Sequence, residues 1–189
     1  MPPHSFQRPL TDDERIAIVM AVRSAFAALR SLCDEVEPVF ERHGFAGPTT
    51  SAVARDLAQQ IETAIVQHCP SFSKDDRHRD LQRDGRHWHV QVSKDSDLSI
   101  NQSKVIAGEN YIVVNYKGQA DVFRVWVLWD AQDHFFTPKR VHSNARALIA
   151  PLAKPRIDVL YEAAAMRPAK SVAMAKASLM ARRGRRTGS

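Results

Sequence analysis

"RDLQRDGRHWHVQVSK", Arg79 to Lys94, interleaves charged and polar residues with Trp88, Val90 and Val92 at the two-residue period of a strand. At its centre, Asp84-Gly85 is a dipeptide suited to the left-handed backbone of a tight hairpin turn. The stretch therefore predicts two short strands joined there. On the second strand His87, His89, Gln91 and Ser93 share one face, opposite Trp88, Val90 and Val92. Asp80, on the preceding strand or its edge, can lie alongside them. A strand so rich in acids, bases and histidines implies that something charged or metallic is held there.

Upstream the periodicity is helical. Thr11 followed by Asp12, Asp13 and Glu14 has the form of a capping box. Ile16, Val19, Met20, Val22, Phe26, Leu29 and Leu32 then recur at helical spacing as one broad apolar face. This helix is expected to run to about His43, with Pro38 near its end and Gly44 as the stop. A second helix, capped by Thr50 or Ser51, carries Val53, Leu57, Ile61, Ile65 and Val66 to about His68, where Pro70 ends it.

Downstream, "SINQSKVIAG" predicts a short helix ending at Gly108, while "NYIVVNYK" and "DVFRVWVLW" have the β-branched and aromatic richness of buried strands. "SNARALIAPLAKPRIDVLYEAAAMR" reads as two helical stretches separated by Pro151 and Pro155. Residues 1–165 are read as one domain, and 166–189 as a basic helix and disordered tail.

The 189 residues suit one well-packed core. With 44 % hydrophobic and 25 % charged residues the composition is that of a soluble globular chain. The longest apolar runs fall short of the ~18 residues that cross a bilayer, and "MPPHSFQRPL" lacks a secretory h-region, so no membrane partner is expected. Cys33 and Cys69 do not suggest a disulfide framework, which favours a reducing cytoplasm. The formal charge of +6 fits a polyanion partner, although Arg182, Arg183, Arg185 and Arg186 supply much of it.

A helix, then a strand carrying an Asp, a turn, and a strand carrying two site residues two apart, where the family has a carboxylate and a lysine, resemble the PD-(D/E)XK, or restriction-endonuclease-like, nucleases. "LSINQSKVIAGENYIVVNY" and "VFRVWVLWDAQDHFFTP" also look like the ApaLI-like restriction enzymes. The resemblance covers roughly residues 53–138. It implies an α/β fold, a mixed β-sheet flanked by helices with a helical C-terminal region, and metal-dependent cleavage of double-stranded DNA with Mg²⁺ or Mn²⁺. It would place the motif Asp at Asp80, the Glu position at His89 and the Lys position at Gln91. Asp80 and His89 would then be the metal ligands. Gln91 would orient the attacking water, with Glu62 as an accessory helical acid and Asp84 as a substitute for Asp80. Lys94, Asn101, Gln102 and Lys104 would approach the DNA, Asn and Gln being matched to adenine edges. A homodimer would suit a palindromic target, and a cognate DNA methyltransferase would accompany an enzyme of this kind.

The sequence departs from the pattern at two positions. His89 replaces a hard oxygen ligand by an imidazole, which binds Mg²⁺ poorly and suits Mn²⁺, Fe²⁺ or Zn²⁺ better. Gln91 lacks the positive charge of Lys but keeps an amide able to orient water. Two other readings therefore stay open: a DNA-binding protein on a nuclease scaffold that no longer cleaves, and a transition-metal enzyme built on the His87-Trp88-His89 pair, with His68 and His78 nearby in sequence. Trp126 and Trp129 are expected in the core. Phe135 and Phe136 are expected either beneath their loop or at a dimer contact. No phosphate-binding glycine loop, serine nucleophile elbow or paired-cysteine motif occurs.

Overall fold

The structure, a computed structural model, describes residues 9–44, 50–75, 80–94, 98–101, 107–117, 121–138 and 145–163. The side chains of residues 50–55, 80, 99–101, 138, 145, 146 and 150 lie outside that description.

Helix α1, Asp12–Arg42, opens on the expected capping box: Thr11 Oγ1 accepts from the Glu14 amide, and Glu14 Oε2 accepts from the Thr11 amide at 2.7 Å. It continues through Pro38 and stops at His43, after which Gly44 takes a positive φ. Its buried stripe is Ile18, Ala21, Val22, Ala25 and Phe26. Ile16, Met20 and Leu32, expected on the apolar face, are instead more than half exposed. One sheet covers only a sector of a helix, and these three lie outside that sector. Helix α2, Thr50–His68, packs beside α1 through Leu57, Ile61 and Ile65.

Nine strands follow among the described residues: β1 Ser73–Asp75, β2 Asp80–Arg83, β3 Arg86–Ser93, β4 Ser99–Asn101, β5 Asn110–Lys117, β6 Asp121–Leu128, β7 Phe136–Pro138, β8 Ala145–Leu148 and β9 Ile157–Glu162. Six form a mixed sheet in the order β1-β2-β3-β5-β6-β9, in which only β3 and β5 run parallel. The other three form a small antiparallel sheet, β4-β8-β7.

The Asp84-Gly85 turn forms as expected, both residues having positive φ, 50° and 71°, the backbone that matches the twist of a two-residue hairpin. Strand β5 is buried from Asn110 to Tyr116 because both its faces are covered. On one face α1 and α2 meet Trp88, Val90, Val92, Ile112, Val114, Val125 and Val127. On the other, Tyr111, Val113, Trp126 and Leu128 meet Leu98, Phe135, Phe136 and Ala153. Both long helices thus lie on one side, and among the described residues the second face is covered by the small sheet, its turns and the four-residue helix that holds Ala153. Trp126 and Trp129 are core, as expected, and Phe135 and Phe136 pack beneath their loop.

Two segments take a different secondary structure from the one expected. Residues 99–101 are strand rather than helix, because β4 pairs with β8 through Ser99↔Ala147 and Ile100↔Arg146. Among the described residues the C-terminal region is helical only at the short α3, Ala150–Ala153, and the 3-10 turn Lys154–Arg156 that follows it. Residues 157–162, expected as helix, form β9 because Ile157, Val159 and Tyr161 complete the edge of the sheet against β6. The Arg15 guanidinium fixes β9 to α1 by pairing with Asp158 and donating to the Val159 carbonyl at 3.2 Å. The basic tail, residues 166–189, lies outside the described residues.

Candidate functional site

The hairpin turn sets which side chains leave the core. In β3 burial alternates, with Trp88, Val90 and Val92 on the helix side, while His87, His89, Gln91 and Ser93 are half-buried on the opposite face. That is the face anticipated from the sequence. Asp80 opens β2, with its backbone paired to Asp75 of β1; its side chain lies outside the described residues, as do Gln102, Lys104 and His78, and the side chain of Asn101.

Parallel pairing of β3 with β5 sets His89 beside Tyr111 and Gln91 beside Val113. The His89 and Tyr111 rings lie 5.1 Å apart, tilted by 31°. His89 Nε2 is hydrogen-bonded to a carboxylate oxygen of Glu109, at the entrance to β5. Both side chains are mostly buried, 21 % and 13 % exposed, so water screens the pair poorly. Glu109 is held from behind. Gly108, with a φ of 87°, turns the chain into β5, its amide donates to the Ala131 carbonyl at 2.8 Å, and the Ala131 amide donates to the Glu109 carbonyl at 2.9 Å. Asn110 ties the same corner together: its Nδ2 donates to the His87 carbonyl at 3.4 Å, and its Oδ1 accepts from the Asp130 amide at 3.0 Å.

A second imidazole and carboxylate face each other two residues back along β3. His87 Nδ1 lies 3.8 Å from Asp75 Oδ2, long for a direct hydrogen bond and close enough for electrostatic attraction. Two histidines and two acids thus share this side of β1, β3 and β5. Glu109 and Asp75 were both missed by sequence reasoning. Asp75 carries no local signal. Glu109 reaches His89 only through a parallel register that joins residues 20 apart in the chain.

The remaining expected site residues lie elsewhere. Glu62 is 8 % exposed on α2, whose Leu57, Ile61 and Ile65 pack on the Trp88 side of β3, the face away from His89 and Gln91. Asp84 is the first turn residue and its side chain is largely exposed. Lys94 follows β3, with Nζ 5.9 Å from the centre of the Tyr116 ring, which belongs to the helix-side core.

Among the described residues, no three His, Cys, Asp or Glu side chains gather where they could hold one metal ion. Asp80, the expected second ligand, is described by its backbone alone. A set of imidazole plus carboxylate fits Mn²⁺, Fe²⁺ or Zn²⁺ better than Mg²⁺. No protein-family model, curated protein or solved structure matches the chain.

Proposed function

We propose that the chain is a metal-dependent endonuclease of the restriction kind, on a restriction-endonuclease-like variant of the mixed α/β fold, hydrolysing phosphodiester bonds in double-stranded DNA. The observation that carries the reading is the hairpin: a strand opening at Asp80, a tight turn, and a strand that presents His89 and Gln91 together on a face not packed against the helices. The helix α2 precedes it in the order that the sequence resemblance requires.

In this reading Asp80 and His89 hold a divalent ion and Gln91 orients the water that attacks phosphorus. When bound, such an ion polarises the phosphate and favours deprotonation of that water. The chain's own contribution is to fix these groups side by side: the turn at Asp84-Gly85 sets the offset of β2 against β3, and Tyr111 limits the swing of the His89 ring. Lys94, Asn101, Gln102 and Lys104 are assigned to DNA contacts, the net charge of +6 favours a polyanion, and a homodimer serves a two-fold target. A cognate methyltransferase belongs to the same proposal.

The test is plasmid cleavage by the full chain across a panel of divalent ions. Nicking or cutting that requires Mg²⁺ or Mn²⁺, stops with chelator and is lost in Asp80→Ala is the expected outcome. Binding of DNA without cutting under every ion would support instead the non-cleaving scaffold that the His89 and Gln91 departures suggest. Stoichiometric zinc or iron without DNA affinity would support the transition-metal enzyme.

A further inference from the structure

Helix α1 is longer than the sheet it covers. All its buried residues fall between Glu14 and Phe26, yet it runs on to Arg42. Val22, Phe26, Leu29, Cys33, Val36 and Phe40 follow one another at alternating steps of four and three, the spacing of a coiled-coil seam. This one stripe has two fates. Val22 and Phe26 are buried in the helix-side core and Leu29 packs at its border, whereas Cys33, Val36 and Phe40 belong to neither core and are half-buried. Beside them Leu32 and Val39 are 54 % and 48 % exposed. The outer side of the same turns, Ser31, Asp34, Glu35, Pro38, Glu41 and Arg42, is exposed and carries no large apolar side chain but the proline. An apolar seam that outruns its own core on an otherwise polar helix marks an interaction surface.

We propose that residues 29–40 of α1 pair antiparallel with the same residues of a second copy, about a two-fold axis between Asp34 and Glu35. In that register Leu29 meets the partner's Phe40, Cys33 the partner's Val36 and, on one flank, Leu32 the partner's Val39. On the other flank Arg30 comes opposite the partner's Glu37, and the two-fold axis repeats that pair of opposite charges. A parallel pairing would set Glu37 against the partner's Leu32 instead. Arg30 Nη2 also donates to Asp121 Oδ1 at 2.9 Å, and a guanidinium carries donors for both carboxylates. The lengths agree as well. The partner's Arg42 comes opposite Ala27, one residue past the last buried position, so the second helix ends where the sheet begins. This surface lies away from the β3 face, and the inference stands apart from the nuclease reading whose homodimer it would serve.

The experiment is sedimentation equilibrium of the full chain over a range of concentrations, without DNA or metal. Wild type is expected to dimerise reversibly. Leu32→Glu and Val39→Arg are each expected to weaken association at least about tenfold, since each sets a charge against an apolar side chain. Ile16→Glu, at a 63 % exposed position off the seam, is expected to leave association unchanged. An equimolar mixture of Leu32→Glu with Val39→Arg is expected to associate more tightly than either variant alone, because antiparallel pairing brings the new acid of one chain to the new base of the other. A monomer at every concentration would assign the seam to another occupant, the chain's own termini or a lipid surface, and overturn the proposal. A dimer indifferent to both substitutions, or a mixture no tighter than its components, would overturn it too. Far-ultraviolet dichroism checks that the variants fold; if Leu32→Glu does not, Glu37→Arg, which faces the partner's Arg30, takes its place with the same weakening expected. Plasmid cleavage keeps the two readings apart. A dimer that never cuts DNA leaves this one standing and sinks the nuclease, and a monomer that cuts does the reverse.

Discussion

Glu14 carries several jobs on one carboxylate. It closes the capping box of α1, accepts from Ser71 Oγ at 2.6 Å, and has Arg83 Nε 2.7 Å away, so it joins the helix start to the loop before β1 and to the end of β2. Burial alone would raise its pKa; the hydrogen bonds from Ser71 and Thr11 and the charge of Arg83 outweigh burial, and the net shift is downward from 4.5. A lowered folded-state pKa means the ionised carboxylate stabilises the fold above the unfolded value, and this contribution is lost as pH falls through the folded one. Glu14→Gln is therefore expected to cost about 1–2 kcal/mol at pH 7. In urea unfolding of both proteins the gap should narrow as pH falls below about 4.5. A gap independent of pH would place the cost in packing. Tyr116 shifts the opposite way for a simpler reason: burial pushes its phenol up.

At the scale of elements the hairpin is the sensitive part. A Cβ added at Gly85 would meet nothing within 4 Å, so Gly85→Ala has no steric partner to offend and must bear only the left-handed backbone at a φ of 71°. The expected cost is about 1–2 kcal/mol, or roughly 2–8 °C in Tm by calorimetry. Elements of this kind were legible in the sequence because their signals are local: the capping box of α1, the Asp84-Gly85 turn, and the alternation that sends His89 and Gln91 to one side and Trp88 to the other. Strands β4 and β9 were not legible. Short segments such as Ser99–Asn101 and Ile157–Glu162 have no strong preference of their own, and partners far along the chain, β8 and β6, decide their conformation. The site divides in the same way. His89 declared itself through its strand neighbours, whereas Glu109 depended on a crossover register that no local pattern encodes.

The whole molecule is a sheet with two unlike coverings, and β9 belongs to both of its cores. Leu160 and Tyr161 join the helix-side core, while Ile157 and Val159 join the other. Val159→Asp would put a carboxylate beside the apolar second core. It is expected to destabilise by about 2–4 kcal/mol in denaturant titration, the usual range for a charge lacking a partner in such a place; a change under 0.5 kcal/mol would mean β9 is a dispensable edge.

That dependence also shapes how the polypeptide is born. Strand β6 ends at Leu128, and its outer partner is not complete until Glu162, 34 residues later. At about 5–20 residues per second, a ribosome leaves that border unzipped for roughly 2–7 s. During that interval a nascent strand holding Val125, Trp126, Val127 and Leu128 offers open amides and carbonyls to any neighbouring chain. Chaperone demand and inclusion-body yield in the producing cell should therefore follow how soon β9 arrives.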